Sequence, residues 1–221
     1  MKKTIIALLA LLFTVNAYAQ QFGGDYGFRL GLTAHPTFGF IKAEGGKGNG
    51  VSLGFSYGLI GDFNFAENYS FSTGLTITTI NGKSTEVVDL MTSSTLPQPR
   101  VEQRNKYMMQ YIEIPLTIKL KTEKIEGKRW YGQFGLSNDF KIGARMHSET
   151  TGLQKANDMD ASDFTNFYRA GLIIGAGGEF DLSGKTSLLL GLTYNNGFTD
   201  ISSLDKNIKN HYVGINLGVF F

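Results

Sequence analysis

The clearest feature of the chain is a strict alternation of large apolar residues with small or polar ones. It is most regular where Val51, Leu53, Phe55, Tyr57 and Leu59 alternate with serine and glycine. A repeat of two residues is the period of a β-strand, whose successive side chains point to opposite faces. The same pattern predicts eight strands, at about residues 28–41, 51–65, 69–80, 107–121, 129–144, 167–182, 186–196 and 211–221.

The two faces of each predicted strand differ sharply in chemistry. One face collects large apolar side chains without any charge, as Ile112, Ile114, Leu116 and Ile118 do in the fourth strand. The other face carries glycine, serine, threonine and charged residues. A soluble barrel or sandwich would turn the apolar face inward, and a membrane barrel would turn it outward to lipid. About fifty large side chains exceed the interior of an eight-stranded barrel, whereas glycine and serine fit there. We therefore predict an all-β, eight-stranded antiparallel up-and-down transmembrane β-barrel.

The charged residues on the small-residue face are predicted to lie in the lumen and to pair with one another. An unpaired charge in a dry lumen is costly, so each charge should find a partner or water. Glu113 in particular is expected to meet a cation from the same set, and a proton or solute path is the alternative role for these charges. The predicted network contains five bases and five acids: Arg29, Lys119, Arg129, Lys141, Arg169, Asp62, Glu113, Asp139, Glu179 and Asp181.

The connections between the predicted strands alternate between longer and shorter ones. Outer-membrane barrels have short periplasmic turns and long outer loops. We therefore expect the loops at 81–106, 145–166 and 197–210 to be extracellular and both chain termini to be periplasmic.

The first residues have the composition of a secretory signal. Lys2 and Lys3 precede an apolar run, and Ala17-Tyr18-Ala19 forms a small-x-small cleavage box. Cleavage between Ala19 and Gln20 would leave residues 20–221 as the barrel domain. Removing the two lysines of residues 1–19 leaves 19 basic and 19 acidic residues. A neutral chain lacks the concentrated basic face that nucleic acid requires, so we expect no nucleic-acid partner.

Composition excludes several kinds of chemistry. The chain has no cysteine, which excludes a disulfide framework, a thiolate metal site and a cysteine nucleophile. Gly184-Lys185-Thr186 imitates the end of a phosphate loop, but Glu179 stands where the first glycine is needed. We predict no cofactor.

Two further clusters contain residue types that chemistry uses. Asp158, Asp160 and Asp163 resemble the start of a calcium loop, but Asp163 occupies the glycine position, so we predict no metal site and leave weak divalent binding open. His147 with Ser148 and Glu149, or His211 near Ser202 or Ser203, could supply a nucleophile and its base. No nucleophile elbow accompanies them, and we predict no catalytic residues.

The last predicted strand, His211 to Phe221, has apolar residues at every second position and ends in an aromatic. This ending resembles the C-terminal signal that the outer-membrane barrel assembly machinery reads. We therefore assign Phe221 to assembly and expect outer-membrane lipid and that machinery as partners.

The stretch Tyr111-Ile112-Glu113-Ile114-Pro115-Leu116-Thr117-Ile118-Lys119 resembles the "YIEIPL…K" strand of PorT-like outer-membrane β-barrel proteins of the Bacteroidetes. Looser similarities cover nearly all of residues 20–221. Arg169-Ala170 departs from the pattern, which has an acidic residue before the Gly-Leu pair. The resemblance implies a small Gram-negative outer-membrane barrel without known enzymatic activity, in a family whose founding member is associated with type IX secretion and gliding motility.

Three classes of function are compatible with these observations. The leading hypothesis is a structural or interaction protein that assists a secretion complex or envelope integrity, with envelope or secretion-complex proteins as partners. A small transporter or pore is the alternative, although eight strands leave no open channel. A lipid-modifying enzyme of the outer membrane is the third class.

Overall fold

The computed structural model describes residues 27–43, 47–89, 100–150, 156–203 and 207–221. The predicted signal segment, with its cleavage point at Ala19 and Gln20, lies outside the described residues. No helix within the described ranges is long and apolar enough to cross a membrane. These ranges contain a short 3-10 helix at Ser162–Phe164 and ten strands: β1 Gly27–Ala43, β2 Lys47–Gly48, β3 Ser52–Ala66, β4 Tyr69–Asp89, β5 Arg100–Lys121, β6 Lys128–Thr150, β7 Ala156–Asp160, β8 Tyr168–Ser183, β9 Thr186–Gly197 and β10 Ile208–Phe220.

Eight of these strands form a closed antiparallel ring in chain order: β1, β3, β4, β5, β6, β8, β9 and β10. The first and last strands close the ring, with Gly31 opposite Phe220 and Ala43 opposite Ile208. The two short strands pair outside the ring, β2 with β4 and β7 with β6. The predicted eight-stranded up-and-down barrel is thus confirmed.

The two ends of the barrel differ in their connections. At one end, here the turn end, strands join through residues 67–68, 122–127 and 184–185. Gly184 has a φ of 57°, which suits the two-residue loop of the hairpin between β8 and β9. Gly184-Lys185-Thr186 is therefore part of a β-turn and not of a phosphate loop. The opposite end, here the loop end, carries the long connections and the two short strands.

Three ring strands extend much further at the loop end than the alternation predicts. β4 reaches Asp89, β5 begins at Arg100 and β6 reaches Thr150, so the predicted loop at 81–106 is wrong for most of its length. β4 and β5 stay paired from Asn81 opposite Met108 up to the end of the ladder, and the predicted loop at 145–166 contains further strand and the 3-10 helix. The prediction failed because these strand segments have polar outward faces and therefore lack the apolar half of the alternation.

The inward face accommodates large side chains by placing glycine beside them. Tyr131 of β6 lies opposite Gly177 of β8, and Gly177 lies opposite Gly191 of β9. A Cβ atom on Gly177 would stand 2.7 Å from the Tyr131 hydroxyl, closer than real Cβ contacts allow. Small residues therefore make room in the narrow interior for the buried ring.

The outward face is a continuous apolar band bounded by aromatic side chains. At the turn end, the ring centroids of Phe28 and Phe63 are 4.6 Å apart and those of Trp130 and Phe180 are 6.1 Å apart. At the loop end, Phe140 contacts both Phe167 and Tyr168. Between the two belts lie exposed leucine, isoleucine and valine side chains such as Leu116. This band has the chemistry of a lipid-facing surface with two aromatic girdles.

Leu116→Arg should destabilise the barrel by about 2–4 kcal/mol, because it places a charge near the middle of the lipid-facing band. Val87→Arg is the matched control, since Val87 is also outward and exposed but lies on the loop-end extension. It should change the free energy of unfolding by less than about 1 kcal/mol. Urea unfolding of both variants in lipid vesicles measures the difference. Equal costs for the two would show that the assigned band does not face lipid.

Candidate functional site in the barrel lumen

β5 supplies the polar spine of the lumen. Its odd-numbered residues point inward, and Tyr111, Glu113, Thr117 and Lys119 are all at most 4% exposed. The even-numbered neighbours Ile112 to Leu120 point outward because side chains alternate along a strand. β5 therefore presents carboxylate, hydroxyl and ammonium groups at successive heights inside the ring.

Six charged side chains meet near the turn end of the lumen, here called the turn-end cluster: Arg29, Asp62, Lys119, Lys121, Arg129 and Glu179. The Asp62 carboxylate is fully buried and accepts hydrogen bonds from Lys119 at 3.0 Å, Arg29 at 3.0 Å and Lys121 at 3.2 Å. The Ser72 hydroxyl donates to its other oxygen at 2.6 Å. The Asp62 carboxylate is therefore saturated with donors.

Glu179 is the second anionic centre of the turn-end cluster. Arg29 donates to it at 3.0 and 3.1 Å, and Arg129 Nε donates at 2.8 Å. Lys121 Nζ lies 3.7 Å from its carboxylate. Strand register brings Arg29 beside Asp62 and Arg129 beside Glu179, while the Arg29 to Glu179 contact crosses the lumen. Four cations thus share two carboxylates, and only the two arginines keep appreciable exposure.

Lys121 was absent from the predicted network although it is buried within it. It is the last residue of β5, and strand ends are the least certain part of an alternation pattern. The available signal was its position two residues after Lys119, which puts both side chains on the same face of the strand. Phe220 was missed in the same way: it is fully buried, and the Arg29 guanidinium stands 4.4 Å from its ring centroid.

Asp181 lies outside the turn-end cluster, unlike its place in the predicted network. Its carboxylate is 39% exposed and pairs with Lys124 at 2.9 Å. A register irregularity separates Asp181 from Ser183 at the end of β8, so the side chain sits at the rim of the turn end.

Phe221, the predicted assembly residue, is also exposed at the turn end, and its backbone N–H donates to the Leu30 carbonyl.

A second buried polar group, here the Arg169 cluster, lies nearer the loop end. Arg169 is fully buried, is paired in register with Asp139 and forms an ion pair with it. Its guanidinium also donates to the Asn195 side chain at 2.9 Å and to the Asn210 carbonyl at 3.0 Å. Ser137 donates to Asp139 and accepts from Asn195, which links the group into one network.

Glu113 has a different partner from the one expected. The Tyr212 hydroxyl contacts both of its carboxylate oxygens, at 2.8 and 3.0 Å. No cation among the described residues lies within ion-pair distance of Glu113, so the expected pairing with Lys119, Arg129, Arg169 or Arg29 is wrong. The place of β10 in the ring explains this difference, because it puts the Tyr212 hydroxyl at the same height in the lumen as the Glu113 carboxylate.

Lys141 also departs from the predicted network. Its ammonium donates to the Ser162 carbonyl at 2.6 Å and to the Thr165 hydroxyl at 2.9 Å. Ile142 follows as the extra residue of a bulge opposite Gln110 and Tyr111. Lys141 therefore fastens the segment around the 3-10 helix to the barrel and does not neutralise a lumen carboxylate.

Apolar side chains fill the lumen above the Arg169 cluster, which the predicted inward face of glycine, serine, threonine and charge did not anticipate. This apolar plug consists of Ile41, Ala43, Ile80, Tyr107, Met109, Tyr111, Ala144, Ala161, Ile201, Ile208 and Tyr212. Ala161 and Ile201 belong to the segments that fold over the opening at the loop end. Covered on that side, the interior is packed there like the core of a soluble protein.

Between the two closed levels lies a cavity of about 90 Å³. Its wall combines apolar side chains such as Ile60, Ile173 and Leu189 with two charged residues and a set of hydroxyl and amide residues: Glu113, Lys119, Thr33, Ser56, Thr76, Thr117, Gln133, Thr193 and Asn216. A space of this size holds a few water molecules.

The other candidate clusters are not assembled as chemical sites in the described part of the chain. Asp158 pairs with Arg145 at 3.4 Å, and no group of three acidic or histidine residues there could hold a metal ion. Hydrogen bonds from Ser162 hold the pKa of Asp160 below its ordinary value, so it is charged at neutral pH. His147 points outward and Ser148 is buried inside, so β6 places them on opposite faces.

The family comparison agrees with this architecture. The family model described as "Outer membrane protein beta-barrel domain" matches residues 18–203. The chain belongs to this family, and it is therefore an outer-membrane β-barrel protein. No curated protein matches the sequence significantly.

Several solved outer-membrane barrels are similar in structure at low sequence identity. Neisserial surface protein A is 13% identical with a TM-score of 0.45, covering 86% of this chain and 95% of its own. OprG from Pseudomonas aeruginosa is 12% identical with a TM-score of 0.40, covering 89% and 94%. Ail, the attachment invasion locus protein of Yersinia pestis, is 14% identical with a TM-score of 0.38 in its complex with the heparin analogue sucrose octasulfate, covering 88% and 99%.

Tyr212→Phe should cost more stability than Glu113→Gln. The phenylalanine leaves a buried carboxylate without its hydroxyl donor, at a cost of about 1–3 kcal/mol, whereas glutamine still accepts from Tyr212. The double variant should be more stable than Tyr212→Phe alone, since no buried charge then remains at Glu113. Urea unfolding of the two single variants and the double variant in lipid vesicles completes this double-mutant cycle. Additive effects would mean that the hydroxyl and the carboxylate do not interact.

Asp62→Asn should destabilise the barrel by about 3–5 kcal/mol, because it leaves buried cations with one carboxylate. Lys121→Met should cost much less, since four cations share two acids in this cluster. Asp181→Asn is the matched control at the same end and should change the unfolding free energy by at most about 1 kcal/mol, as exposed pairs do. If Lys121→Met destabilised the barrel as much as Asp62→Asn does, the cluster would not tolerate loss of a cation better than loss of an acid, and the argument from its excess positive charge would be wrong.

Proposed function

We propose that this protein is a non-enzymatic outer-membrane barrel with a structural or interaction role. The observation that carries this proposal is closure of the lumen at two levels. The turn-end cluster fills one level and the apolar plug fills the other, with about 90 Å³ between them. Such an interior stabilises the barrel and offers no path for a solute. The functional surfaces are therefore those that lie outside the membrane.

The loop end is proposed to face the exterior and the turn end the periplasm. The short connections at one end and the long hairpins at the other support this orientation, since outer-membrane barrels place short turns in the periplasm. The proposal includes export by the signal segment 1–19 and assembly by the barrel assembly machinery.

Within the family, we assign the chain to the PorT-like barrels of the Bacteroidetes. The support is the stretch Tyr111 to Lys119, whose polar residues form the spine of the lumen. Glu113 bonds Tyr212 and Lys119 bonds Asp62, so the stretch that carries the resemblance also carries the interior contacts. The proposed role is accessory to protein secretion, or to envelope integrity, through envelope or secretion-complex partners.

Orientation can be tested because the chain contains no cysteine. A membrane-impermeant maleimide added to intact cells should label Val87→Cys at the loop end and leave Lys185→Cys at the turn end unlabelled. Both side chains are exposed, so both should react after the cells are lysed. Labelling of Lys185→Cys in intact cells would reverse the orientation.

The role itself is tested by deleting the gene and quantifying the secreted fraction by mass spectrometry. A secretion role predicts loss of secreted proteins, restored by the full chain. A chain with the β4–β5 hairpin trimmed between Thr85 and Arg104 should insert without restoring secretion, because the hairpin is the proposed contact surface. An unchanged secreted fraction together with altered detergent sensitivity would favour the envelope role.

The alternative functions have distinct readouts in the same strains and preparations. The purified protein in a planar bilayer should show no single-channel conductance, because both lumen levels are closed. Steady conductance would replace the structural role by a pore. Lipid A from the deletion strain should have an unchanged mass, and a changed mass would favour the lipid-modifying enzyme.

A further inference from the structure

A row of basic side chains crosses three strands of the loop-end extension. Lys83 of β4 lies opposite Lys106 of β5, and Lys106 lies opposite His147 of β6. Their chain neighbours Ser84, Asn105 and Ser148 are buried on the inner face, so the row points outward.

This arrangement is unfavourable for the protein alone. Like charges directly opposite each other on neighbouring strands destabilise a sheet. No carboxylate of the described residues is within ion-pair distance of Lys83, Lys106 or Arg104, the next outward residue of β5. The strand register therefore holds Lys83 and Lys106 side by side without an ion-pair partner, while Arg104 stands opposite Glu149. The uncompensated pair of lysines has the geometry of a site for an external anion.

The row also forms a shaped site. A groove of about 390 Å³ is lined by Lys83, Arg104, Lys106 and His147, with Glu149 at its side. His147 Nδ1 accepts the backbone N–H of Asp158 at 2.9 Å, so a neutral ring carries its proton on Nε2 and remains a donor. Ammonium, guanidinium and imidazole donors that line one groove suit a phosphate group.

The height of the row identifies the carrier of that phosphate. Phe140, in the loop-end girdle, lies opposite Ile112 of β5, and Lys106 is six residues further along the strand. At about 3.3 Å per residue and the usual strand tilt, the row stands roughly 15 Å beyond the girdle. Phospholipid headgroups extend only about 5–8 Å beyond the hydrocarbon core, so their phosphates lie too low. A phosphate carried on headgroup sugars reaches this height.

We propose that Lys83, Arg104, Lys106 and His147 form a binding site for the phosphorylated saccharide headgroup of an outer-leaflet glycolipid. The inference rests on the proposed orientation, in which the loop end faces the exterior. The site lies on the outward face of the wall that carries Ile112 and Phe140, so the acyl chains of the same lipid can pack on the apolar band below. Both parts of an amphipathic ligand therefore find a complementary surface.

The test uses the full chain in detergent micelles, titrated with purified lipooligosaccharide and followed by native mass spectrometry. K83Q/K106Q should bind at least about 10-fold more weakly, because both ammonium groups that face the phosphate are removed. K128Q/K185Q is the matched control, because it removes the same charge at the turn end, and it should bind within about 2-fold of the parent chain. The unfolding midpoint of K83Q/K106Q should be equal to or above that of the parent chain, since removing opposed like charges relieves repulsion in the sheet.

Three further outcomes test the phosphate, the lipid source and the site in turn. Chemically dephosphorylated lipooligosaccharide should lose the binding, and equal binding would overturn the proposal. Deacylated phosphorylated oligosaccharide should bind more weakly than the intact lipid, and equal affinity would overturn the lipid source. Unchanged binding by K83Q/K106Q would remove the site. Because micelles have no sidedness, these results are independent of orientation, which the maleimide labelling tests separately.

Discussion

Burial of charge inside a ring of only eight strands is the constraint on which the rest of the structure depends. The residues of the turn-end cluster come from five strands: β1, β3, β5, β6 and β8. Register alone makes neighbours of Arg29 and Asp62. The contact from Arg29 of β1 to Glu179 of β8 crosses the lumen and exists only when β1 and β10 close the ring, whereas Lys119 reaches Asp62 over the intervening strand β4. Neutralisation of these charges is therefore coupled to closure, and an open sheet would leave them to water.

The other end of the lumen is closed by the opposite chemistry. The apolar plug packs beneath segments that fold back over the opening, held in part by Lys141. The Arg169 cluster and the Glu113 to Tyr212 pair lie at the boundary between plug and cavity, where Tyr111 and Tyr212 combine apolar rings with hydroxyl groups. Ion pairing and apolar packing thus stabilise the same cylinder at different heights, and neither alone would fill it.

The alternation was sufficient to predict the eight ring strands, their order and the facing of most of their residues, because period two and short turns are local properties. It could not predict which inward residues meet. Glu113 meets Tyr212 because strand stagger sets the height of each residue around the ring, and stagger is a property of the closed barrel. Lys121 was missed at a strand end, and the bulge at Ile142 was missed because one extra residue leaves no mark in composition. The extensions of β4, β5 and β6 were missed because their outward faces meet water, where alternation disappears.

The surplus strand length gives the loop end a physical character that flexible loops lack. β5 has 22 residues, about 70 Å of extended chain, while a tilted crossing needs only about 9–11 residues. The surplus remains in register with β4 and β6, so its side chains stand in fixed rows on a continuous sheet. A ligand or partner that binds such a surface pays little for ordering it, because the backbone is already hydrogen-bonded. A lumen filled for stability and a preformed sheet beyond the membrane therefore belong together: the first anchors the strands whose extension becomes the second.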